Sequence, residues 1–153
     1  MNSSDQNVIP LDTAFERRWE SIWLTDKKEE IDKLYIKGFN NLTWGTFRST
    51  INNKINSSQS LIQTEDKKLG AYFINKSYLT EIPSNKKEDR IRFSNKVLIF
   101  LYESVCKFNK NLLFSENINC IDDLIKKSET TILDIFNEDI KSQLGETNEF
   151  DRN

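Results

Sequence analysis

Histidine is absent from the 153 residues of this chain, and cysteine and glycine are scarce. Without histidine the chain cannot form Ser–His or Cys–His nucleophile pairs, and a histidine general base and most zinc sites are excluded. The two cysteines, Cys106 and Cys120, are too few for a disulfide scaffold and are expected to be buried thiols. The four glycines are too scattered for a phosphate-binding loop, so we expect no P-loop in this chain.

Long apolar runs and an excess of one charge are also missing. The longest purely apolar run, Val97–Tyr102, is far shorter than the roughly 20 residues that span a bilayer. Residues 1–10 lack the basic start and apolar core of a signal peptide. The net charge of −2 gives no global attraction to nucleic acid, and the charge runs Lys27–Glu30 and Lys86–Arg90 mix signs. We therefore expect a cytoplasmic protein without a membrane contact or a direct nucleic-acid patch.

Apolar residues at helical spacing predict four helices after residue 40. They are expected at Trp44–Ile55, Arg90–Phe108, Ile121–Lys127 and Glu129–Leu144. The widest apolar stripe belongs to the second helix and contains Phe93, Val97, Phe100, Leu101, Val105 and Phe108. Asn41 or Thr43 is expected to cap the first helix, and Gly145 is expected to end the last one.

Strands are expected to be few and short. Ser21–Leu24 is apolar and β-prone and predicts a buried strand after a short helix over Leu11–Arg18. Leu34–Ile36 predicts a short apolar anchor, and Asp66–Ile74 predicts a turn that enters another strand. The fold class is therefore mainly α with a few short strands, and residues 1–24 are too few to be a domain of their own.

Two stretches of the chain share a pattern with a known family. The first contains Asn2, Asp5, Asp12, Ala14, Arg17 and Arg18. The second is Leu69–Phe73, which follows a predicted helix. Together they resemble the AAA+ NTPases, most of all the branch of the McrB subunit of modified-cytosine restriction systems. Phe15 and Trp19 replace a Leu and a Phe of the family pattern, and a His-Ser pair that often precedes its Tyr is missing before Tyr72.

The resemblance implies that the chain is a C-terminal fragment of an ATPase or GTPase, lacking the P-loop and Walker B, that does not hydrolyse nucleotide alone. In the implied fold, residues 1–24 are the last helix-strand unit of the AAA+ α/β core, 25–145 the small helical lid domain, and 146–153 a flexible tail. The fragment alone would bind no cofactor, whereas the intact family uses ATP or GTP with Mg²⁺. Its implied partners are AAA+ subunits or a P-loop-bearing partner, in a homo- or hetero-oligomer.

The same resemblance supplies the candidate catalytic residues. Arg17 and Arg18 would lie in the arginine-finger region, and Asn2 would be the sensor 1 residue. Neighbouring helical residues point about 100° apart, so at most one arginine reaches a neighbouring nucleotide, and the choice between them stays open. The alternative is that both arginines are solvated at a helix end. Arg48 and Lys54 could face a nucleotide in the intact enzyme or lie on a solvated helix face, and no metal site is expected.

A second class of function stays open beside the NTPase fragment. It is a non-enzymatic helical module that binds a protein partner. In that case Trp44–Leu144 would fold and bind by itself, and residues 1–24 would be unimportant.

Overall fold

The computed structural model describes residues 30–57 and 67–150, with side chains up to Gly145. Within these ranges the chain forms four α-helices: α1 (Trp44–Ser57), α2 (Lys87–Phe93), α3 (Ile121–Ser128) and α4 (Glu138–Phe150). Two π-helical segments, Ser94–Leu98 and Leu101–Val105, extend α2 so that the chain is helical from residue 87 to 105. Short 3-10 helices are found at Glu30–Lys33, Lys76–Tyr78, Lys110–Leu112 and Leu133–Ile135.

Two strands of two residues each form a small antiparallel sheet. Strand β1 (Tyr35–Ile36) pairs with β2 (Leu79–Thr80), with Tyr35 opposite Thr80 and Ile36 opposite Leu79. Ile36 and Leu79 are buried, so the sheet ties the segment before α1 to the segment before α2. The burial of Ile36 confirms the apolar anchor predicted at Leu34–Ile36.

Helix α1 follows the pattern predicted from its sequence. The Thr43 hydroxyl accepts a hydrogen bond from the Thr46 N–H at 3.3 Å, which satisfies one of the unpaired donors at the start of a helix. The predicted stripe is buried and consists of Trp44, Phe47, Ile51 and Ile55. The Trp44 indole N–H donates to the Ala71 carbonyl at 2.8 Å, so even the polar atom of this buried ring has a partner.

The long helix of residues 87–105 departs from its prediction at its C-terminal end. Phe93, Val97, Leu101 and Val105 are buried as expected, but Phe108 is 87% exposed. The π-helical turn closes with a hydrogen bond from the Cys106 N–H to the Leu101 carbonyl at 2.8 Å. The helix then ends, so Phe108 lies beyond it and the prediction that it joins the buried stripe is wrong.

A chain of aromatic contacts joins the elements through the core. The Phe47 ring lies 5.5 Å from the Phe93 ring and 6.0 Å from the Phe136 ring. Phe136 in turn stacks on Phe114 at 5.8 Å, and Phe114 contacts Tyr102 at 5.4 Å. These rings belong to α1, to the long helix and to the loops around residues 114 and 136. The same core includes Leu124 of α3 and Ile140 of α4, so one core serves all the described helices.

Two further boundaries differ from the predicted ones. The strand expected within Asp66–Ile74 is not formed among the described residues of that range, where the chain turns and anchors itself with buried Leu69, Ala71 and Ile74. The last helix begins at Glu138 and not at Glu129, because the Asn137 side chain accepts the Ile140 N–H at 3.1 Å and caps the helix there.

The described part of the chain is mainly helical with a two-stranded sheet, which confirms the coarse fold prediction. Helix α4 passes through Gly145 and ends at Phe150, so the expectation that Gly145 ends it is wrong. The predicted boundary between residues 24 and 25 lies outside the described residues. None of the helices in the described ranges is both long and apolar enough to cross a membrane.

Candidate functional site

The residues implied by the family resemblance are not placed by the structure. Asn2, Arg17 and Arg18 lie outside the described residues. Their roles as sensor and arginine finger therefore stay predictions, as do the expectations about ATP, GTP and Mg²⁺. Within the described ranges, no three Cys, Asp or Glu side chains come together in a group that could hold a metal ion.

Both cations suggested for α1 are paired with carboxylates. The Arg48 guanidinium donates to Asp32 through Nε at 3.2 Å and through Nη2 at 2.7 Å, and the two side chains are only 9% and 11% exposed. Arg48 is therefore not on a solvated face, and it fixes the 3-10 helix of Glu30–Lys33 on α1. Lys54 bonds to Asp139 at 2.8 Å, which joins α1 to α4 and lowers the pKa of the Asp139 carboxyl.

The cavity beside Arg90 has a volume of about 240 Å³ and lies among Gly38–Leu42, Asn85 and residues 130–133. The charged group of this cavity, the Arg90 guanidinium, is already hydrogen-bonded to other parts of the chain. Arg90 donates to the Glu129 carbonyl at 3.0 and 2.6 Å, to the Gly38 carbonyl at 3.4 Å and to the Asn85 side chain. Gly38 has a φ of +89°, and a Cβ there would lie 2.7 Å from the Arg90 backbone nitrogen, so only glycine fits. The geometry of Arg90 is that of a structural tie between segments.

A second group of side chains lies on the outside of the β1–β2 sheet and the long helix. It is formed by four cations and three aromatic rings from three separate segments. We name it the basic–aromatic surface. It consists of Lys37, Arg92, Lys96, Phe73 and Tyr78, which the contacts described below join, and of Lys76 and Tyr72, which belong to the same loop of residues 71–78. Lys76, Arg92, Lys96 and Tyr72 are exposed, whereas Lys37, Phe73 and Tyr78 are half-buried.

Ser77 is the point at which the three segments meet. Lys37, which follows β1, donates from Nζ to the Ser77 carbonyl at 2.9 Å. Arg92, on α2, donates from Nη2 to the Ser77 hydroxyl, also at 2.9 Å. The Arg92 guanidinium carbon lies 4.4 Å from the centre of the Tyr78 ring, within the range of a cation–π contact. Two cations from distant parts of the sequence are thus bonded to the same residue.

The helix continues the same surface one turn further on. Lys96 lies four residues after Arg92, and its Nζ is 5.3 Å from the centre of the Phe73 ring. Phe100, four residues after Lys96, also packs on Phe73, with the two ring centres 4.7 Å apart. Arg92, Lys96 and Phe100 therefore all face the loop of residues 71–78, through contacts with Tyr78 and Phe73.

The cations of this surface have no carboxylate partner among the described residues. The ion pairs of that part of the chain involve Arg48, Lys54, Lys87 and Lys141 and none of the four cations of the surface. Glu88, four residues before Arg92, makes no ion pair with it. Positive charge is therefore concentrated locally on a chain whose net charge is −2.

The sequence carries a signal for this surface that inspection of contiguous charge runs misses. Residues 67–80 contain three lysines and no acidic residue, and residues 90–102 contain two arginines and one lysine and no acidic residue. Lys76, Arg92 and Lys96, the members of the surface in these stretches, have no cation next to them in the sequence, so none of them is part of a basic run. The fold brings the stretches together.

One further polar group involves the second cysteine. Cys120 is exposed, so the prediction of two buried thiols is wrong for it and right for Cys106. The pKa of Asp123 is lowered chiefly by a hydrogen bond with the Cys120 side chain and also by the Asn119 N–H. Burial raises the pKa of Tyr102, whose hydroxyl donates to the Asn119 carbonyl at 2.9 Å. These contacts fix the start of α3.

Comparison with known proteins gives one informative similarity. The chain is 36% identical over 134 residues to a protein described as type II restriction enzyme BsuMI component YdiS, from Bacillus subtilis strain 168. The match covers 83% of this chain but only 35% of that protein, so the chain spans about a third of the length of its relative. No family model matches the chain. No solved structure matches it.

This similarity corrects the assignment made from the sequence. The prediction of a fragment of an McrB-like AAA+ NTPase is wrong, because the relative is a component of a type II restriction enzyme. The descriptions as an ATPase, a GTPase and an ATP-binding protein are corrected with it. Of the predicted keywords, only the general link to a restriction system fits the comparison.

Proposed function

We propose that this chain is a helical part of a type II restriction enzyme component. The observation that carries the proposal is the identity of 36% over 134 residues, which extends over 83% of the chain. An alignment that leaves out only about a sixth of the chain must include most of the described helices. The similarity therefore concerns a folded unit with its core, and not a short motif.

We propose a part of the component, and not the whole component, because the aligned stretch is much shorter than the relative. The aligned stretch is 35% of the relative, so the chain would act together with sequence that corresponds to the rest of that component. Cleavage of DNA, which defines a restriction enzyme, is assigned in this proposal to the complete enzyme. The predicted cytoplasmic location belongs to the proposal as well, because a restriction enzyme meets incoming DNA inside the cell.

Replacing a segment of the relative tests the proposal directly. In Bacillus subtilis strain 168, the aligned stretch of the relative would be exchanged for the aligned residues of this chain, and a second strain would lack the stretch. Restriction is measured as the loss of transformation by unmodified plasmid DNA compared with modified DNA. We expect the deletion to abolish restriction and the exchange to restore it at least partly.

A core variant of the exchanged segment is the matched control. Phe47→Asp places a charge in the fully buried aromatic cluster and is expected to prevent folding of the segment. That strain should behave like the deletion strain. An exchanged protein that accumulates to the native level, yet restricts no better than the deletion, would contradict the proposal.

A further inference from the structure

We propose that the basic–aromatic surface binds the phosphate backbone of duplex DNA. The inference rests on the proposed function for the identity of its ligand, because the substrate of a restriction enzyme is DNA. The binding surface itself is argued from the contacts of its own residues. It assigns a direct DNA contact to a chain for which the sequence predicted none.

The surface has four cations without an ion pair to a described carboxylate, which supports phosphate binding. Lys37, Lys76, Arg92 and Lys96 form no ion pair with a described carboxylate, so no salt bridge within the described part of the chain has to break before they meet a phosphate. Lys37 and Arg92 each use a hydrogen bond to Ser77, but an ammonium has three donors and a guanidinium has five. Donors therefore remain on both groups.

The aromatic rings hold these flexible side chains in place. Tyr78 lies under Arg92 and Phe73 lies under Lys96, so less side-chain entropy is lost when a phosphate is bound. Arg92 and Lys96 lie four positions apart on one helix and both contact the loop of residues 71–78, so they can meet the same stretch of phosphate backbone. The ring of Tyr72, which precedes Phe73 in the sequence, is exposed.

The chemistry favours DNA over an anionic membrane. Phe73 and Tyr78 are half-buried beneath the cations, so Tyr72 is the one ring of this surface that is exposed enough to insert into a lipid surface as membrane-anchoring rings do. Backbone contacts carry no sequence information by themselves. We therefore expect binding with little sequence preference and a strong dependence on salt.

Fluorescence anisotropy with a labelled 30-base-pair duplex tests the inference on the complete chain. The affected variant combines Lys37→Gln, Arg92→Gln and Lys96→Gln. The matched control combines Lys54→Gln, Lys87→Gln and Lys141→Gln, which removes the same charge from cations that are already paired with carboxylates. Circular dichroism establishes that each protein is folded, and titrations at 50, 100 and 200 mM NaCl give the salt dependence.

We expect the native chain to lose about 100-fold in affinity between 50 and 200 mM NaCl, as for roughly four phosphate contacts. The affected variant should bind at least about 30-fold more weakly at 50 mM NaCl, and its slope of log affinity against log salt should be smaller by about 3. The control should stay within about threefold of the native chain, and two unrelated duplexes should bind alike.

Three results would overturn the inference. They are an affected variant that binds DNA as the native chain does, a control that weakens binding equally, and a native chain that binds vesicles containing 30% phosphatidylglycerol but not the duplex. The two proposals fail separately. If the exchanged segment restores restriction and the isolated chain does not bind DNA, only this inference falls. If DNA binding depends on the surface but the exchange does not restore restriction, only the proposed function falls.

Discussion

The two cysteines show how strongly one side chain depends on its position in this fold. Cys106 follows the last π-helical turn and is fully buried, and this burial raises the pKa of its thiol to about 12. Cys120 precedes α3, is exposed, and contacts the Asp123 carboxylate. Burial therefore keeps Cys106 as a neutral, apolar member of the core.

The pKa of Cys106 predicts a loss of stability in alkaline solution. The unfolded thiol loses its proton near its ordinary pKa of 9.0, whereas the folded thiol keeps it up to about 12. Between these values the unfolded state binds fewer protons, so the free energy of unfolding falls as the pH rises. Cys106→Ala should show a smaller fall than the native chain in urea unfolding at pH 7, 9 and 10.5, because other groups titrate alike in both proteins. Equal slopes for the two proteins would show that this thiol is not the cause.

At the scale of the element, Gly45 on α1 and Gly145 on α4 differ in the space that is available for a side chain. A Cβ added to Gly45 on α1 would lie 2.7 Å from the Asp32 Cβ and 2.8 Å from the Asp32 carbonyl oxygen. Asp32 cannot move away easily, since it is bonded to the buried Arg48. A Cβ added to Gly145 on α4 would meet nothing within 4 Å. The first glycine lets two elements approach, whereas the second only weakens its helix.

The same substitution should therefore change stability in opposite directions at these two sites. Gly45→Ala should destabilise the fold by about 1–3 kcal/mol, because the steric conflict exceeds the gain in helix propensity. Gly145→Ala should stabilise it by about 0.5–1 kcal/mol, the propensity gain alone. Urea unfolding of both variants and the native chain gives the comparison. Stabilisation by Gly45→Ala would mean that the 3-10 helix of Glu30–Lys33 does not pack against α1 as described.

Sequence reasoning found the helices but not all of their ends. The apolar stripe of α1 and the cap at Thr43 follow from local spacing, and both are present. The start of α4 depends on the Asn137 side chain, but Thr130, Thr131 and Asp134 are also of types that cap helices, so the sequence does not single out Asn137. The end of the long helix depends on π-helical turns, which no periodicity of apolar residues predicts.

The basic–aromatic surface was harder to predict from the sequence than the fold. Lys37 and Arg92 are separated by 55 positions and meet only because β1 pairs with β2 and Ser77 accepts bonds from both. A contact of this kind requires the tertiary structure. The family assignment failed for a different reason, because short patterns such as Arg17-Arg18 occur in many helices and carry little specificity.

At the scale of the whole molecule, two arginines two residues apart on α2 divide the roles of structure and binding. Arg90 points between the segments and donates to the carbonyls of Gly38 and Glu129, joining the turn before α1 to the loop after α3. Arg92 points to the opposite side, over Tyr78 and towards Ser77, on the basic–aromatic surface. Successive side chains about 200° apart on a helix make such a division possible.

Identical substitutions at the two arginines should separate these roles. Arg90→Gln leaves partly buried carbonyls without their charged donor and should lower the free energy of unfolding by about 2 kcal/mol. Arg92→Gln removes an exposed contact and should lower it by less than about 1 kcal/mol. In the duplex titrations the order should reverse, with the salt slope reduced by about 1 for Arg92→Gln and unchanged for folded Arg90→Gln. Equal effects of the two variants on unfolding and on DNA binding would contradict the division, because they would mean that α2 presents both arginines to the same surroundings.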